Sequence, residues 1–174
     1  MVKPLKGDLL MTAQNYETWT RPLRTHPGWL RILLVSNKLL TAVVYISYPA
    51  LLLVLLLTQP AALPRVILTP AVSFILLSLF RDWVNLPRPY EALDIQPLIH
   101  KTTNGHSFPS RHVFSVTVIA CAFLSILPWL GMVFLIFAVF MSIIRVLGGV
   151  HFPRDVVVGF LFGLLSGWIG FVLL

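Results

Sequence analysis

Long uncharged apolar runs dominate this chain, and short polar or proline-containing segments separate them. Runs without any charged residue cover 39–57, 66–80, 113–144 and 156–174. A transmembrane helix needs roughly 20 apolar residues, so the 113–144 run is too long for one ordinary span. The Pro-Trp-Leu-Gly sequence at 128–131 is typical of a tight turn and divides that run into two antiparallel helices. The pattern predicts an all-α, polytopic membrane helix bundle with five spans.

The segment that precedes the first span is more polar and strongly basic. Before Trp29 it contains no apolar core of the kind that a signal peptide has. Four large side chains recur near one helical face and favour an amphipathic helix in the membrane interface; they are Leu9, Tyr16, Trp19 and Leu23. An irregular polar leader is the alternative, because Pro22 weakens a helix. We therefore divide the chain into an N-terminal interfacial segment, 1–36, and a transmembrane core, 37–174.

The composition supports a membrane location and narrows the partners. Hydrophobic residues make up 57% of the 174 residues and charged residues only 11%, whereas soluble chains carry about 25% charged residues. One cysteine, Cys121, excludes a disulfide scaffold and a zinc ribbon. A net charge of +7 would suggest nucleic acid in a soluble protein. Here the basic residues interrupt apolar runs, so the expected partners are the lipid bilayer and an anionic lipid phosphate, with no nucleic acid.

The connections between the predicted spans are unequal. The 58–65 and 128–131 connections are short and nearly featureless, whereas 82–111 is long and 145–155 is dense in polar groups. Five crossings place both polar connections on one side of the membrane, together with the N-terminus. One face therefore carries nearly all of the polar chemistry.

Three arginines lie at the edges of the spans on that face. Arg81 and Arg88 are seven residues apart, and Arg145 ends the fourth span. Guanidinium groups match phosphate oxygens in a bidentate way, so three of them around one point suit a phosphoryl group. For any one arginine alone, ordinary positive flanking of a membrane helix is the competing interpretation.

Two predicted helix starts add donors and an acid–base pair. Pro109 and Pro153 suit the first position of a helix, and helix N-termini bind anions. Ser110 adds a hydroxyl donor beside His112. Asp155 follows His151 by four residues, so its carboxylate reaches back to the imidazole and leaves the other ring nitrogen as a nucleophile.

The remaining acidic residues of this face suggest no metal or cofactor. Asp82, Glu91 and Asp94 do not form the carboxylate cluster that a magnesium-dependent phosphoryl transfer site requires. The arginines are expected to replace a metal as charge stabilisers.

At these positions the sequence resembles the phosphatidic acid phosphatase type 2 superfamily. That family's signature has three parts: a basic residue, six residues and Arg-Pro; then Pro-Ser-Gly-His; then Ser-Arg, five residues, His, three residues and Asp. The matching residues are Arg81 with Arg88-Pro89, then Pro109-Ser110-Arg111-His112, then Arg145 with His151 and Asp155. Arg81 stands where lysine is usual, Arg111 replaces the glycine and Ile144 replaces the serine. The family usually has six spans, one more than this chain predicts.

The resemblance implies a membrane lipid phosphatase that hydrolyses a phosphomonoester or a diphosphate. Phosphatidic acid, phosphatidylglycerophosphate and undecaprenyl diphosphate all fit as substrates. In this scheme His151 forms a phosphohistidine, Asp155 orients it, and His112 protonates the leaving oxygen. The phosphoryl group is bound by Arg81, Arg88, Ser110 and Arg145. Arg111 is expected to point at a second phosphate.

Other functions compete with this interpretation. A non-catalytic carrier or binder of phospholipid head groups is an alternative, because Arg111 and Ile144 depart from the family signature. Vanadate-dependent haloperoxidases have a similar set of motifs. Those enzymes are mainly soluble, so the apolar composition of this chain disfavours a haloperoxidase. A channel is disfavoured because few polar groups lie within the spans.

Two arguments disagree about which membrane face holds the site. Six basic residues between Lys3 and Lys38 lie on the side of the polar loops, against Arg65 on the other side. The positive-inside rule then places the site in the cytoplasm. The resemblance implies the outer face, where the family more often works. We expect a multi-pass protein of the cell membrane with an extracytoplasmic site.

Overall fold

A computed structural model describes residues 11–173, which fold into helices with no strand in that range. The α-helices are α1 (Ala13–Thr25), α2 (Pro27–Thr58), α3 (Leu63–Val84), α4 (Pro89–Ala92), α5 (Arg111–Ile126), α6 (Pro128–Leu147) and α7 (Pro153–Trp168). A 3₁₀ turn at Pro60–Ala62 joins α2 to α3, and a π-helical segment, Ile169–Leu173, follows α7. The predicted all-α, polytopic membrane bundle is confirmed.

Prolines set several of the helix starts. Pro27, Pro128 and Pro153 each occupy the first turn of a helix, where the missing N–H is not needed and the fixed φ already suits the helix. The predicted turn at 128–131 was therefore misplaced. The chain breaks at Leu127 alone, and Pro128 opens α6 instead of ending a helix.

The predicted count of five spans needs correction. Within the described range, four helical segments are long and apolar enough to cross a membrane, and they include α2, α3, α6 and α7. The helix α5 has 16 residues and is shorter than such a segment. It lies at the centre of the bundle against α3, α6 and α7, and nine of its residues are buried. Protein therefore replaces lipid around much of α5.

The N-terminal segment contains a helix, as one of the two alternatives predicted. Tyr16 is fully buried on α1, whereas Trp19 is 40% exposed; Leu9 lies outside the described residues. The helix α2 begins at Pro27 and not at residue 39, so the proposed boundary between 36 and 37 lies inside it. The position of α1 at a membrane interface and the division into two regions stay predictions.

Close packing of α7 on α5 brings two of the predicted site residues together. Gly159, Gly163 and Gly167 recur every fourth residue of α7 and are buried. A Cβ at Gly159 would lie 2.7 Å from the Ser110 carbonyl oxygen, so only glycine allows this approach. The Ser110 N–H also donates to the Asp155 carbonyl at 2.9 Å. The start of α5 is thereby fixed against the start of α7.

Candidate active site

Two connections meet at one end of the bundle. The 85–110 connection joins α3 to α5, and the 148–152 connection joins α6 to α7. The Ile99 N–H donates to the Gly148 carbonyl at 3.0 Å, and Arg88 Nη1 donates to the Val150 carbonyl at 3.2 Å. These bonds tie both connections into one polar layer.

His151 and Asp155 form a buried pair within that layer. The His151 side chain is 2% exposed and the Asp155 side chain 0%, with Nδ1 of the histidine 3.5 Å from Oδ2 of the aspartate. This distance is a close electrostatic contact and longer than an ordinary hydrogen bond. Burial lowers the pKa of His151 to about 4, and the Asp155 carboxylate offsets only part of that effect. The imidazole is therefore neutral at pH 7, which a nucleophile requires.

Asp155 is held by donors that sequence reasoning did not find. Its Oδ2 accepts a hydrogen bond from Ser107 Oγ at 2.5 Å and another from the Phe152 N–H at 3.0 Å. Ser107 is fully buried. Ser107 lies in a connection that has no helical or strand periodicity. Its position directly before Phe108-Pro109, at the start of the second motif, was the only sequence feature that could have pointed to it.

Arg81 and Arg88 are buried and hold the loops of the site. Arg81 donates to the backbone carbonyls of His106 and Pro109, and Arg88 Nε donates to the Gly105 carbonyl at 3.0 Å. Both guanidinium groups thus shape the 105–110 backbone, a contact that the sequence did not predict. Their phosphate-binding role stays a prediction.

Arg145 and Ser110 carry buried polar atoms without a partner. The Arg145 side chain is 3% exposed and the Ser110 side chain 0%. Among the described residues, neither Arg145 Nε nor Ser110 Oγ has a hydrogen-bond partner. Ser110 makes no side-chain capping bond to α5, so its hydroxyl does not merely satisfy a free helix N–H. Buried unpaired donors are costly, and an anionic ligand that reached these atoms would satisfy them.

Arg111 and His112 border a cavity of about 440 Å³ that extends between the helices. Its other walls include Tyr45 and Tyr48 of α2 and Phe74 of α3. The Arg111 side chain is exposed, with its guanidinium carbon 6.0 Å from the centre of the Phe74 ring. The volume lies in the usual range for a small-molecule site. His112 therefore stands where the polar layer meets an apolar cavity.

Lys101 is a further cation of this layer that sequence reasoning missed. It is half-buried in the 85–110 connection. Burial lowers its pKa to about 8, and the positive charges of Arg88, Arg145, Arg111 and Arg81 contribute to that shift. A lone lysine in a loop carries no motif, so only the folded arrangement shows that it joins the arginines.

The acidic residues near the site have other partners. Glu91 accepts from the N–H groups of Arg88 and Gly105, and Asp82 lies 3.1 Å from His106 Nδ1. Within residues 11–173 no group of three or more His, Cys, Asp or Glu side chains is arranged to hold a metal ion. The donor set at the site is made of arginines and a serine, which suits an anion better than a cation. Metal independence stays a prediction.

Comparison with known proteins identifies the class to which this fold and site belong. Residues 62–174 match the PAP2 superfamily, and that match includes all three motif clusters. The chain is therefore a member of the PAP2 superfamily.

Two solved structures share the fold. LpxE of Aquifex aeolicus has a TM-score of 0.71 at 25% identity, covering 91% of this chain and 93% of that protein. A PAP2-type phosphatidylglycerolphosphate phosphatase of Bacillus subtilis has a TM-score of 0.65 at 25% identity, covering 90% of this chain and 82% of that protein.

Relatives similar in sequence are named as lipid phosphatases. An undecaprenyl-diphosphatase of Sulfolobus acidocaldarius is 31% identical over 130 residues, which are 74% of this chain and 61% of that protein. Phosphatidylglycerophosphatase B of Bacillus subtilis is 38% identical over 96 residues, 49% of this chain and 44% of that protein. The chain thus spans less than two thirds of each of these relatives.

Proposed function

We propose that this protein is a metal-independent membrane lipid phosphatase that works through a phosphohistidine on His151. The main support is the buried His151–Asp155 pair, in one polar layer with the unpartnered donors of Arg145 and Ser110. Both sequence-similar relatives named above carry the names of lipid phosphatases.

In the first step, the His151 nitrogen that does not face Asp155 attacks phosphorus. The bond between phosphorus and the ester or bridging oxygen breaks, and its electron pair leaves with that oxygen. His112 supplies the proton for that oxygen, and Asp155 stabilises the positive charge that develops on the His151 ring. Arg145 and Ser110 bind the equatorial oxygens, where preorganised donors act most strongly on developing charge.

In the second step, water cleaves the phosphorus–nitrogen bond. His112, neutral after giving up its proton, accepts one from the attacking water. The products are inorganic phosphate and free His151, so both histidines return to their starting protonation states. Arg81 and Arg88 act mainly by fixing the 105–110 backbone that carries Ser110.

The cavity beside His112 suits the part of the lipid next to its head group. Tyr45, Tyr48, Pro49 and Phe74 give it a largely apolar lining between α2 and α3. The outer faces of these two helices expose many large apolar side chains and suit contact with lipid. A lipid entering from the bilayer would pass along this cavity and present its phosphate beyond His112.

Our assignment of the site to the extracytoplasmic face is also a proposal. The count of basic residues opposes it. One of those residues has another role, since Arg24 donates to the Gln96 carbonyl and its guanidinium carbon lies 5.9 Å from the centre of the Tyr16 ring. Cysteines at the exposed positions Thr102 and Ala61 report on opposite ends of the bundle. In intact cells an impermeant maleimide should label Thr102→Cys and spare Ala61→Cys until permeabilisation; the reverse pattern places the site in the cytoplasm.

Phosphate release by the detergent-solubilised protein tests the function directly. We expect release from phosphatidic acid, phosphatidylglycerophosphate or undecaprenyl diphosphate in excess chelator, and none from inserted, folded His151→Ala. Acid-labile ³²P should be trapped on wild type only. Binding of these lipids without release would instead indicate a head-group carrier. Loss of activity in chelator with rescue by magnesium would contradict metal independence.

A further inference from the structure

The hydroxyl of Tyr16, on α1, joins the two connections that form the site. It donates to the Leu147 carbonyl at 3.1 Å and accepts from the Leu98 N–H at 3.2 Å. The next pair of residues along the chain is joined directly, since the Ile99 N–H donates to the Gly148 carbonyl at 3.0 Å. The Tyr16 hydroxyl therefore takes the place of a direct backbone hydrogen bond between Leu98 and Leu147.

The backbone on both sides of His151 packs against Tyr16, which is fully buried. Gly149 has a φ of 74°, and a Cβ there would lie 2.7 Å from the Tyr16 hydroxyl oxygen, so this position requires glycine. Phe152 is 1% exposed and forms one buried cluster with Tyr16 and Met11. Gly149 lies two residues before His151 and Phe152 directly after it. Tyr16 thus borders the chain that carries the proposed nucleophile.

The two ends that Tyr16 holds lead directly to groups of the site. Leu147 ends α6, and Arg145 lies two residues before it in the last turn. On the other side, the Phe152 N–H donates to Oδ2 of Asp155 at 3.0 Å. The cavity of the candidate active site is lined by other residues, so Tyr16 acts on the site through the backbone of these connections.

The helix α1 has a second link to the same part of the 85–110 connection. Arg24 donates to the Gln96 carbonyl, two residues before the Leu98 N–H that bonds to Tyr16. The helix is thereby bonded to residues 96–98 at two points and to the end of α6 at a third. The placement of the 85–110 connection against α6 therefore depends on α1.

We propose that Tyr16 is a positioning residue for the phosphatase reaction, and that α1 through it sets the place of His151 relative to Ser110. The inference rests on the proposed function. Loss of the hydroxyl leaves the Leu98 N–H and the Leu147 carbonyl buried without this partner, and unpaired buried groups are costly. The two connections then shift relative to each other, and a displacement of about 1 Å is enough to slow a reaction roughly 10²-fold.

Tyr16→Phe tests the proposal, because it removes the hydroxyl and keeps the ring in its apolar cluster. Phosphate release from phosphatidic acid, phosphatidylglycerophosphate and undecaprenyl diphosphate is measured in detergent, per mole of folded protein. We expect kcat to fall about tenfold on each lipid that wild type hydrolyses, since two hydrogen bonds are lost. KM should stay nearly unchanged, because Tyr16 is not proposed to touch substrate. The ring ¹⁵N signals of His151 should shift, which a loss of stability alone would not cause.

Arg24→Gln is a second variant, which removes the other link from α1 to the connection. Arg24 is exposed, so this variant is expected to fold and to lose about threefold in kcat, again without a change in KM. Two controls on the same helix should keep the wild-type kcat. Thr18→Ala removes a hydroxyl that bonds to the Gln14 carbonyl within α1 at 2.9 Å, and Arg21→Gln removes an exposed guanidinium.

Folded Tyr16→Phe with the kcat and the His151 signals of Thr18→Ala would overturn the proposal, even if it melts at a lower temperature. If Tyr16→Phe does not fold, Arg24→Gln decides: a kcat equal to that of Arg21→Gln would overturn the proposal, and a lower one supports it. Wild type that releases phosphate from none of the three lipids would instead refute the phosphatase assignment. The ¹⁵N signals would still show whether Tyr16 positions the His151 ring.

Discussion

Ser107 Oγ donates a hydrogen bond of 2.5 Å to Oδ2 of Asp155, the same oxygen that lies 3.5 Å from His151 Nδ1. One carboxylate oxygen therefore faces both the serine and the histidine. Because the serine restricts how the carboxylate can rotate, it fixes the position from which Asp155 orients His151. Ser107 is on this argument a positioning residue that does not touch substrate.

Ser107→Ala should lower kcat about tenfold and leave KM nearly unchanged, because hydrogen bonds to charged groups typically contribute that much. Steady-state phosphate release measures both constants, and Ser107→Thr should restore part of kcat because it keeps the hydroxyl. Ser142→Ala is the control: its hydroxyl bonds to Ala138 within α6 at 2.8 Å. An unchanged kcat in folded Ser107→Ala would remove the positioning role.

The acid–base state of His151 can be measured apart from turnover. Its pKa is lowered to about 4 by burial, so the ring should stay neutral as the pH falls from 8 to about 5. An ordinary histidine would gain its proton near pH 6.5. The pKa of His151 is lower in the folded state than in the unfolded state. Its contribution to the free energy of unfolding is therefore fully present above about pH 6.5 and is lost as the pH falls toward 4. Histidine ¹⁵N spectra in micelles, assigned with His151→Ala, report the titration; a midpoint near 6.5 contradicts the buried, neutral nucleophile.

His112 is the proposed proton donor, so the cost of removing it should depend on the leaving group. His112→Ala should slow lipid phosphomonoesters by roughly 10²–10⁴-fold, the usual contribution of general acid catalysis. With p-nitrophenyl phosphate, whose leaving group needs no proton, His112→Ala should slow phosphohistidine formation much less. Single-turnover kinetics separate this step from hydrolysis of the intermediate. The same loss on both substrates would argue that His112 serves another purpose.

The parts of the site that the sequence predicted are those with fixed spacing. Pro153 starts a helix, so the four-residue step from His151 to Asp155 determines that their side chains meet. The arginines lie at helix ends, which the uncharged runs mark. Lys101 and Ser107 escaped notice because they lie in a connection whose path depends on hydrogen bonds to Gly148, Tyr90 and Asp155.

The fold, like the site, was predicted from the sequence only in part. Hydropathy predicted the membrane bundle, because lipid requires long apolar helices with satisfied backbones. It miscounted the spans because α5 is apolar for a different reason: protein surrounds much of it, and its 16 residues fall below the spanning length. Sequence hydropathy alone does not distinguish burial in protein from burial in lipid.

Gly159 tests whether close packing of α7 on α5 sets the catalytic geometry. In Gly159→Ala the new Cβ would lie 2.7 Å from the Ser110 carbonyl oxygen and 3.3 Å from the Ser110 nitrogen. These are backbone atoms at the start of α5, so relief requires the helix start itself to move. Ser110 and His112 would shift away from His151, and a displacement of about 1 Å is enough to cost roughly 10²-fold in rate.

We therefore expect Gly159→Ala to lose most of its turnover and to melt at a lower temperature, since overpacking usually costs about 1–3 kcal/mol. Gly28→Ala is the matched control, because nothing lies within 4 Å of a Cβ there and Gly28 is exposed on α2. Thermal unfolding in detergent and phosphate release are measured on both variants. Gly159→Ala with the activity and stability of Gly28→Ala would show that α5 and α7 need not approach this closely for the site to work.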